Sequence, residues 1–398
     1  MNDVLTFLKG LFPASCHERI FLVGGSVRDL LLGREGRDID LAAALSADEL
    51  AASGLRLVEG KSTQPIWFGY DKSFGKIEAT PLEDAAALAA DLARRDFTIN
   101  AIAMTLAGEL IDPLGGKSDL EQRRLRACTP RSFLDDPLRI FRALRFEGEG
   151  WRMTPETEAL IREQDWSQRL GAIPVERFSR EMLKALESPE PERFFQRMLE
   201  LIVGENYLPE IFRMPRVIAG PPIYHPEVDL FSHSIQVLQR AAQRTGDPLA
   251  RFCALFHDIG KLATDPALYP SHHGHDEAGF DLARNLCERL RLPAAYRTAL
   301  AWTSRLHNRL NRWTELRGAT RVRMAEQAVK AGIAAILPLV SAADKGVFGE
   351  ITGWRGAVRV AGMSTAELGI DMERIEAMPG DKRSDFILQR RVEALRAE

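Results

Sequence analysis

The stretch that decides the fold is LVGGSVRDLLLGREGRDIDL, residues 22–41. The apolar lead-in ERIFLV reads as a strand that runs into Gly24 and Gly25, SVRDLLLG as a helical turn closed by Gly33, and GRDIDLAAAL as a second strand. Two small residues where a strand opens into a helix let backbone N–H groups approach an anion, and the helix N-terminus favours negative charge. Ser26 adds a hydroxyl donor, and Arg28 is placed to meet a phosphate oxygen bidentately. Asp38 and Asp40, two apart on a strand, share one face. Two carboxylates on one face repel unless a cation sits between them. Mg²⁺ takes oxygen ligands and keeps waters and substrate phosphates in its shell, and two such ions can clamp the attacking and leaving oxygens of phosphoryl transfer. An isolated D-x-D is most often a solvated strand edge. One that follows a glycine turn carrying an arginine points to a nucleotide site instead, with Glu78 of GKIEAT as a candidate third carboxylate.

Outward from this motif, the chain has 398 residues, 45% hydrophobic and 27% charged, which is more than one compact core holds and is ordinary for a globular protein. The segment up to about residue 120 mixes strand and helix signals, with LRLVEG, PIWFGY and GKIEAT as short strands and DAAALAADLARR as a helix, so it is read as an α+β domain. From Asp135 onward the apolar spacing is helical, and a Pro- and Gly-rich stretch near 214–229 reads as a linker. No apolar run is long enough to span a bilayer, and the N-terminus reads as a short amphipathic helix, not a signal peptide. Cys16, Cys128, Cys253 and Cys287 form no C-x-x-C pair and no disulfide framework, so a cytoplasmic home without membrane partners is expected. With 53 basic and 56 acidic residues the net charge of −3 neither marks nor excludes a nucleic-acid binder, since local patches decide. Residues 117–145 do carry eight basic against four acidic side chains. Seven of the eight histidines lie between His225 and His307, which sets that region apart chemically.

The form GGSVRD…DID resembles the class II tRNA nucleotidyltransferase and bacterial poly(A) polymerase family, within the DNA polymerase β type of nucleotidyltransferases. RRDFTINA is similar to that family's ribose- and phosphate-binding motif, which implies such a role for Arg95 and Asp96, with Asn100 near the sugar. In FLDDPLRIFRALRF, Asp136 and Arg139 are three apart and are expected on one helix face. A carboxylate beside a guanidinium presents acceptors and donors together and can match the Watson–Crick edge of a base. Taken alone the pair is an intrahelical salt bridge, but the segment resembles the family's base-reading motif, with Asp135 where Glu is usual. Arg142 and Arg145 extend the basic face toward triphosphate or RNA, and VERFSREMLKAL, with Glu176 and Arg177, resembles a supporting helix of the same family. The resemblance implies CTP and ATP as substrates, Mg²⁺ as cofactor, and the tRNA acceptor arm as partner, gripped mainly through backbone and shape.

Further on, His233, the doublet His257–Asp258 in FHDIGK, and Asp344 in SAADKG are expected on helices of a bundle. Imidazole and carboxylate together suit a divalent transition metal better than Mg²⁺, and such a cation activates water for phosphoester hydrolysis. The set resembles the HD phosphohydrolase domain, and His272, His273, His275 and His307 are near enough to add a ligand or hold a phosphate. The chain therefore resembles the branch of the family in which an HD domain follows the transferase. The implied plan is a head over residues 1–128, a helical neck over 129–215 and a helical HD domain over 216–398. The mixed-charge end, DFILQRRVEALRAE, lacks the basic tail usual in poly(A) polymerases and so favours tRNA. One feature departs from the family. Only ATPLEDAAALAADLA separates Glu78 from Arg94, where full CCA-adding members carry a longer, Gly-containing basic loop. That leaves CC-only or A-only addition open beside full CCA addition, and a phosphohydrolase with a vestigial head as a further alternative.

Overall fold

The computed structural model describes residues 2–34, 38–58, 65–223 and 227–397. Parts of three expected segments lie outside the described residues: the start of GRDIDLAAAL, the end of LRLVEG, and His225 in the linker. The chain forms two compact units, Met1–Trp166 and Ser167–Glu398.

Among the described residues the first unit is built on a seven-stranded mixed sheet. Its strands are β1 (Ile20–Val23), β2 (Asp38–Ala43), β3 (Arg56–Val58), β4 (Ile66–Asp71), β5 (Gly75–Pro81), β6 (Ala103–Thr105) and β7 (Leu110–Ile111), in the order β3-β4-β5-β2-β1-β6-β7. Every neighbouring pair is antiparallel except β2 and β5, whose parallel register sets Asp40 opposite Glu78. Both faces of the centre are covered. Ile20, Leu22, Ile39 and Leu41 pack with Leu5, Leu8 and Phe12 near the N-terminus, whereas Phe21, Val23 and Ala42 pack with Leu88 and Leu92. The four-residue run IFLV is therefore buried throughout and shows no polar alternation. Asp38 and Asp40 alternate with Ile39 and Leu41, so they fall on the Leu88–Leu92 face, at the end of β2 where that cover stops.

The segment after Glu78 is part of this core. β5 continues to Pro81, a 3₁₀ turn spans Ala85–Ala87 with Asp84 accepting from the Ala87 N–H, and a helix runs over Leu88–Ala93. Of residues 79–93, which the sequence suggests as one helix, only 85–93 are helical, because 79–81 belong to β5; the burial of Leu88 and Leu92 fixes the helical part.

RRDFTINA is anchored from below by a buried carboxylate. Asp119 is fully buried on the helix Gly116–Glu121 and accepts from Thr98 Oγ1 at 2.7 Å, Arg124 Nε at 3.1 Å and Arg126 Nε at 2.8 Å. In the second unit, helices Leu230–Ala242, Pro248–Phe256, His275–Arg289, Ala294–Asn311 and Ile336–Lys345 pack as a bundle, and further helices follow to Ala397. No helix among the described residues is long and apolar enough to cross a membrane.

Asp119→Ala removes an acceptor that three donors share and leaves the Thr98 hydroxyl buried without a partner. A loss of about 2–3 kcal/mol is expected in urea unfolding followed by circular dichroism. A variant as stable as the parent would show that this network does not hold the segment.

Candidate active sites

The first site forms where β1 ends. Gly24 has φ +71°, and a Cβ there would lie 2.8 Å from Arg95 Nη1 and 3.4 Å from Asp40 Oδ2. The glycine is therefore required twice, once for its backbone and once because the arginine and the carboxylate close in over it. The helix Gly25–Leu31 starts directly after it. Ser26 has a different task from the one expected. Its Oγ donates to the Asp38 carbonyl at 3.0 Å and accepts from the Asp40 N–H at 2.8 Å, so it clamps the turn onto β2.

Asp40 stands beside Glu78 across the parallel pair. Burial, with the Glu78 charge next to it, pushes the Asp40 carboxyl above the usual carboxylate range, although Arg95 and Lys76 pull the other way. Lys76, on the same strand as Glu78, forms an ion pair with it. This is an oxygen-rich pocket holding more negative charge than its neighbours neutralise. A hard divalent cation suits that donor set.

A chain of polar contacts links the remaining residues. Arg28 grips Asp29 with Nε and Nη2 at 3.0 and 3.1 Å, donates to Asn100 Oδ1 at 2.7 Å through Nη1, and lies over the Phe146 ring. Asn100 Nδ2 donates to Asp96 Oδ1 at 3.0 Å. Asp96 Oδ2 accepts from Arg142 Nε and Nη2 at 2.8 and 2.6 Å. Burial would raise the Asp96 pKa, but the Arg142 guanidinium and the Asn100 amide hold it below the ordinary range. Asp91, buried and not foreseen from the sequence, accepts from both Arg94 and Arg95. The i, i+3 and i, i+4 spacing from Asp91 was its only sequence signal.

The expected base-reading pair differs from a simple helix face. Asp136 is extended, with φ −145° and ψ 98°, at the joint between helices Ser132–Asp135 and Leu138–Gly148. Pro137 explains this, because a residue before proline is driven out of the helical region. The Asp136 side chain accepts from the Leu138 N–H at 3.2 Å. Arg139 does lie on the helix, and it donates to the carbonyls of Arg94 at 2.6 Å and Arg95 at 3.1 Å, which ties this helix to the RRD segment. Arg142 and Arg145 are not an open basic face. Arg142 pairs with Asp96, and Arg145 pairs with Glu149 and lies over the Phe146 ring.

The second site lies in the helical bundle. His233 is on the helix Leu230–Ala242, and Asp344 is near the end of Ile336–Lys345. His257 and Asp258 are not inside a helix as expected. They form the turn between Pro248–Phe256 and the 3₁₀ segment Ile259–Ala263. Gly260, in that 3₁₀ segment, allows it to pack tightly on the helix His275–Arg289, since a Cβ there would sit 1.9 Å from the His275 carbonyl oxygen.

Four of the polar atoms converge. His233 Nε2 lies 3.4 Å from His257 Nε2, 3.6 Å from Asp258 Oδ2 and 3.3 Å from Asp344 Oδ1, and His257 Nε2 lies 3.3 and 3.8 Å from those same two oxygens. Ligands bound at about 2.1 Å stand roughly 3.0–3.4 Å apart around one cation, so the spacing is nearly that of a coordination shell. The tautomers agree. His257 Nδ1 donates to the Ala254 carbonyl at 2.9 Å and His233 Nδ1 to Glu227 Oε1 at 2.6 Å, which leaves each Nε2 for a cation. Burial opposes charge on His257, yet Asp258 and Asp344 beside it push its pKa up to about 10. Asn311 Nδ2 steadies Asp344 Oδ2 at 3.1 Å, and Lys261 Nζ bonds Asp258 Oδ2 at 2.6 Å.

The two sites define the class: a nucleotidyltransferase head followed by an HD-type domain. Family models match in the same order, with the poly(A) polymerase head domain over residues 20–59 and 68–126, a probable RNA and SrmB-binding site of polymerase A over 150–214, and the HD domain over 230–345. The multifunctional CCA protein of Methylococcus capsulatus is 37% identical over 334 residues, spanning 78% of this chain and 76% of that one. That of Legionella pneumophila strain Philadelphia 1 is 36% identical over 338 residues, spanning 78% and 79%. The chain belongs to the multifunctional CCA protein family of tRNA nucleotidyltransferases. The fold is shared with solved structures of lower identity. The Thermotoga maritima CCA-adding enzyme complexed with tRNA has a TM-score of 0.63 at 21% identity, covering 100% of this chain and 92% of that one. The Bacillus stearothermophilus CCA-adding enzyme in complex with CTP has a TM-score of 0.59 at 23% identity, covering 95% and 88%.

Because folding raises the Asp40 pKa, the cost of its charge is absent below the ordinary carboxylate range, where the group is protonated folded or unfolded. The cost appears as pH rises through the folded value. Asp40→Asn is therefore expected to raise the Tm of the metal-free protein at pH 7, with the gain fading on acidification. Mg²⁺ should stabilise the parent more than the variant in scanning fluorimetry. Equal Mg²⁺ shifts in both proteins would rule out Asp40 as a ligand.

Proposed function

We propose that the head adds both C and A to the 3′ end of tRNA lacking its CCA terminus, drawing on CTP and ATP. The observation that carries this reading is the meeting of Asp40, Glu78, Arg95 and the Gly24 turn at one strand end, in a chain 37% identical to a multifunctional CCA protein. CC-only and A-only addition, which the short segment after Glu78 left open, are not favoured, because relatives over more than three-quarters of the chain are multifunctional CCA proteins.

In this reading Asp38 and Asp40 hold Mg²⁺ at the exposed end of β2, with Glu78 beside them. The cation, when bound, supplies charge stabilisation to the attacking RNA 3′-hydroxyl and the departing pyrophosphate. Gly24 keeps the turn low enough for a triphosphate to lie over it, and Arg95 presents its guanidinium at the same place. Arg28 is held ready by Asp29 and Asn100, and it reaches a phosphate only by exchanging one of those partners. Asp96 acts through Arg142 and Asn100, keeping the sugar side of the pocket ionised and rigid. Asp136 and Arg139 read the base edge. The Arg139 guanidinium is already anchored to the RRD backbone, so base choice is coupled to how that segment holds the nucleotide.

The HD site is a second, separate activity in this proposal. His233, His257, Asp258 and Asp344 hold a divalent transition metal for phosphoester hydrolysis.

The test uses tRNA truncated before its CCA end. CTP alone should extend it by C residues only, ATP alone should not extend it, and both together should complete CCA. Product that stops after the C residues with both nucleotides present would overturn full CCA addition. Asp38→Ala should lower incorporation by at least about 100-fold, since metal charge stabilisation supplies several kcal/mol. His257→Ala should leave incorporation intact and abolish phosphoester hydrolysis.

A further inference from the structure

Resting on the reading of the head as the nucleotide site, we propose that Asp91 is a positioning residue of that site: it tethers the Arg95 guanidinium over the glycine turn, ready for phosphate, and keeps it off the Asp40 carboxylate. The Arg95 guanidinium divides between two tasks. Its Nε and Nη2 donate to Asp91 Oδ2 at 3.3 and 2.9 Å. Its other terminal nitrogen, Nη1, is the atom that closes over Gly24. A guanidinium is planar and rigid, so a carboxylate that holds one edge fixes where the opposite edge points.

Asp91 is in turn held fast. It is buried on the helix Leu88–Ala93, and Leu88 and Leu92 of that helix belong to the core. Its second oxygen, Oδ1, accepts from Arg94 Nε at 2.8 Å and also from Arg94 Nη2. Both oxygens are therefore occupied, and the carboxylate cannot rotate without releasing an arginine. Stability alone does not call for this residue. Removing a carboxylate from water is unfavourable, and apolar side chains commonly replace buried ion pairs without loss. The short segment between Glu78 and Arg94 gains a task in this proposal: it carries the fixed support from which Arg95 is aimed.

What the tether prevents is visible at Gly24. A Cβ there would lie 2.8 Å from Arg95 Nη1 and 3.4 Å from Asp40 Oδ2, so guanidinium and carboxylate border the same small gap. Arg95 already offsets part of the charge around Asp40. Freed from Asp91, its long and flexible side chain can swing onto that carboxylate. Such a movement harms the site twice. It withdraws a donor from the phosphate position, and it neutralises a group proposed to hold Mg²⁺. Asp91 keeps Arg95 from Asp40 by binding two of its nitrogens in a buried place, where charge-assisted hydrogen bonds are strongest.

The experiment compares the full-length parent with Asp91→Asn, Arg95→Ala and the double variant. Addition of CTP and ATP to truncated tRNA gives kcat and KM, and scanning fluorimetry without nucleotide gives the Tm shift caused by Mg²⁺. Asp91→Asn is expected to raise KM for both nucleotides by about tenfold, the worth of one charge-assisted contact. Its kcat should stay within about threefold, since a contact made equally to bound substrate and transition state acts through KM. Its Mg²⁺ shift should shrink. With Arg95→Ala already present, the same substitution should change KM by less than about twofold and leave the Mg²⁺ shift alone, because the tether has nothing to hold. An unchanged KM, a loss confined to kcat, an undiminished Mg²⁺ shift, or an equal rise in KM without Arg95 overturns the proposal. Where Asp91→Asn does not fold, Asp91→Glu, which keeps the charge and moves the fork outward, takes its place with the same expected directions. A parent that adds neither nucleotide overturns the reading of the head, and the Mg²⁺ shifts then decide the tether by themselves.

Discussion

The first unit is organised around one unfavourable contact: Asp40 and Glu78, two carboxylates held side by side by the register of neighbouring strands. β2 and β5 are the one parallel pair among the described strands of the seven-stranded sheet. Parallel neighbours cannot be joined by a tight turn, so the chain makes an excursion through β3 and β4 before β5 returns beside β2. The rest of the site accommodates that placement. Gly24 lets Asp40 and Arg95 approach, Ser26 fixes the β2 backbone, and Lys76 and Arg95 offset part of the repulsion. A structure optimised for stability alone would not keep a charge on Asp40 there. One optimised to gather divalent cations would.

The arginines divide into two kinds of work, and their partners show which is which. Arg142 is committed to Asp96 and Arg145 to Glu149, so they shape the pocket from outside. Arg28 and Arg95 also have carboxylate partners, Asp29 and Asp91, but they face the glycine turn or the residues linked to it. A guanidinium already held by a carboxylate has lost much of its side-chain freedom before substrate arrives. The run Asp29–Arg28–Asn100–Asp96–Arg142 makes this cooperative, since each member is positioned by the next. Arg139 closes the arrangement through the Arg94 and Arg95 carbonyls, joining the helix expected to read the base to the segment expected to hold the sugar.

What the sequence made legible was local. The glycine turn, the D-x-D strand and the His–Asp doublet each carry their meaning within a few residues; the first two form as expected, whereas the doublet sits in a turn and not on a helix. What it left unread was pairing across distance. Ser26 reads as a free donor until its hydrogen bond to a strand fourteen positions away is seen. Arg142 reads as one of a basic row until it meets Asp96 across 46 positions. Asp136 is a different case, because its departure from the helix was written in the next residue, Pro137, and the i, i+3 spacing to Arg139 outweighed that signal. Glu227 and Asn311, which orient His233 and Asp344, carry no local pattern at all.

The two sites solve one physical problem in different chemical terms. In the head, negative oxygens accumulate at a partly exposed strand end, where a hard, hydrated cation can be shared with incoming phosphates. In the bundle, imidazoles and carboxylates converge in a buried interior, a donor set that suits a cation accepting nitrogen ligands. In each pocket the polar groups are assembled against their own repulsion. A cation bound at either place would return the folding free energy given up to hold these groups, which would link loading to fold stability. The chemical difference also separates the two pockets by the kind of cation each suits. Oxygens alone suit a hard, hydrated divalent ion, and imidazoles beside carboxylates suit a softer one, so under the proposed function the two places would load independently of each other.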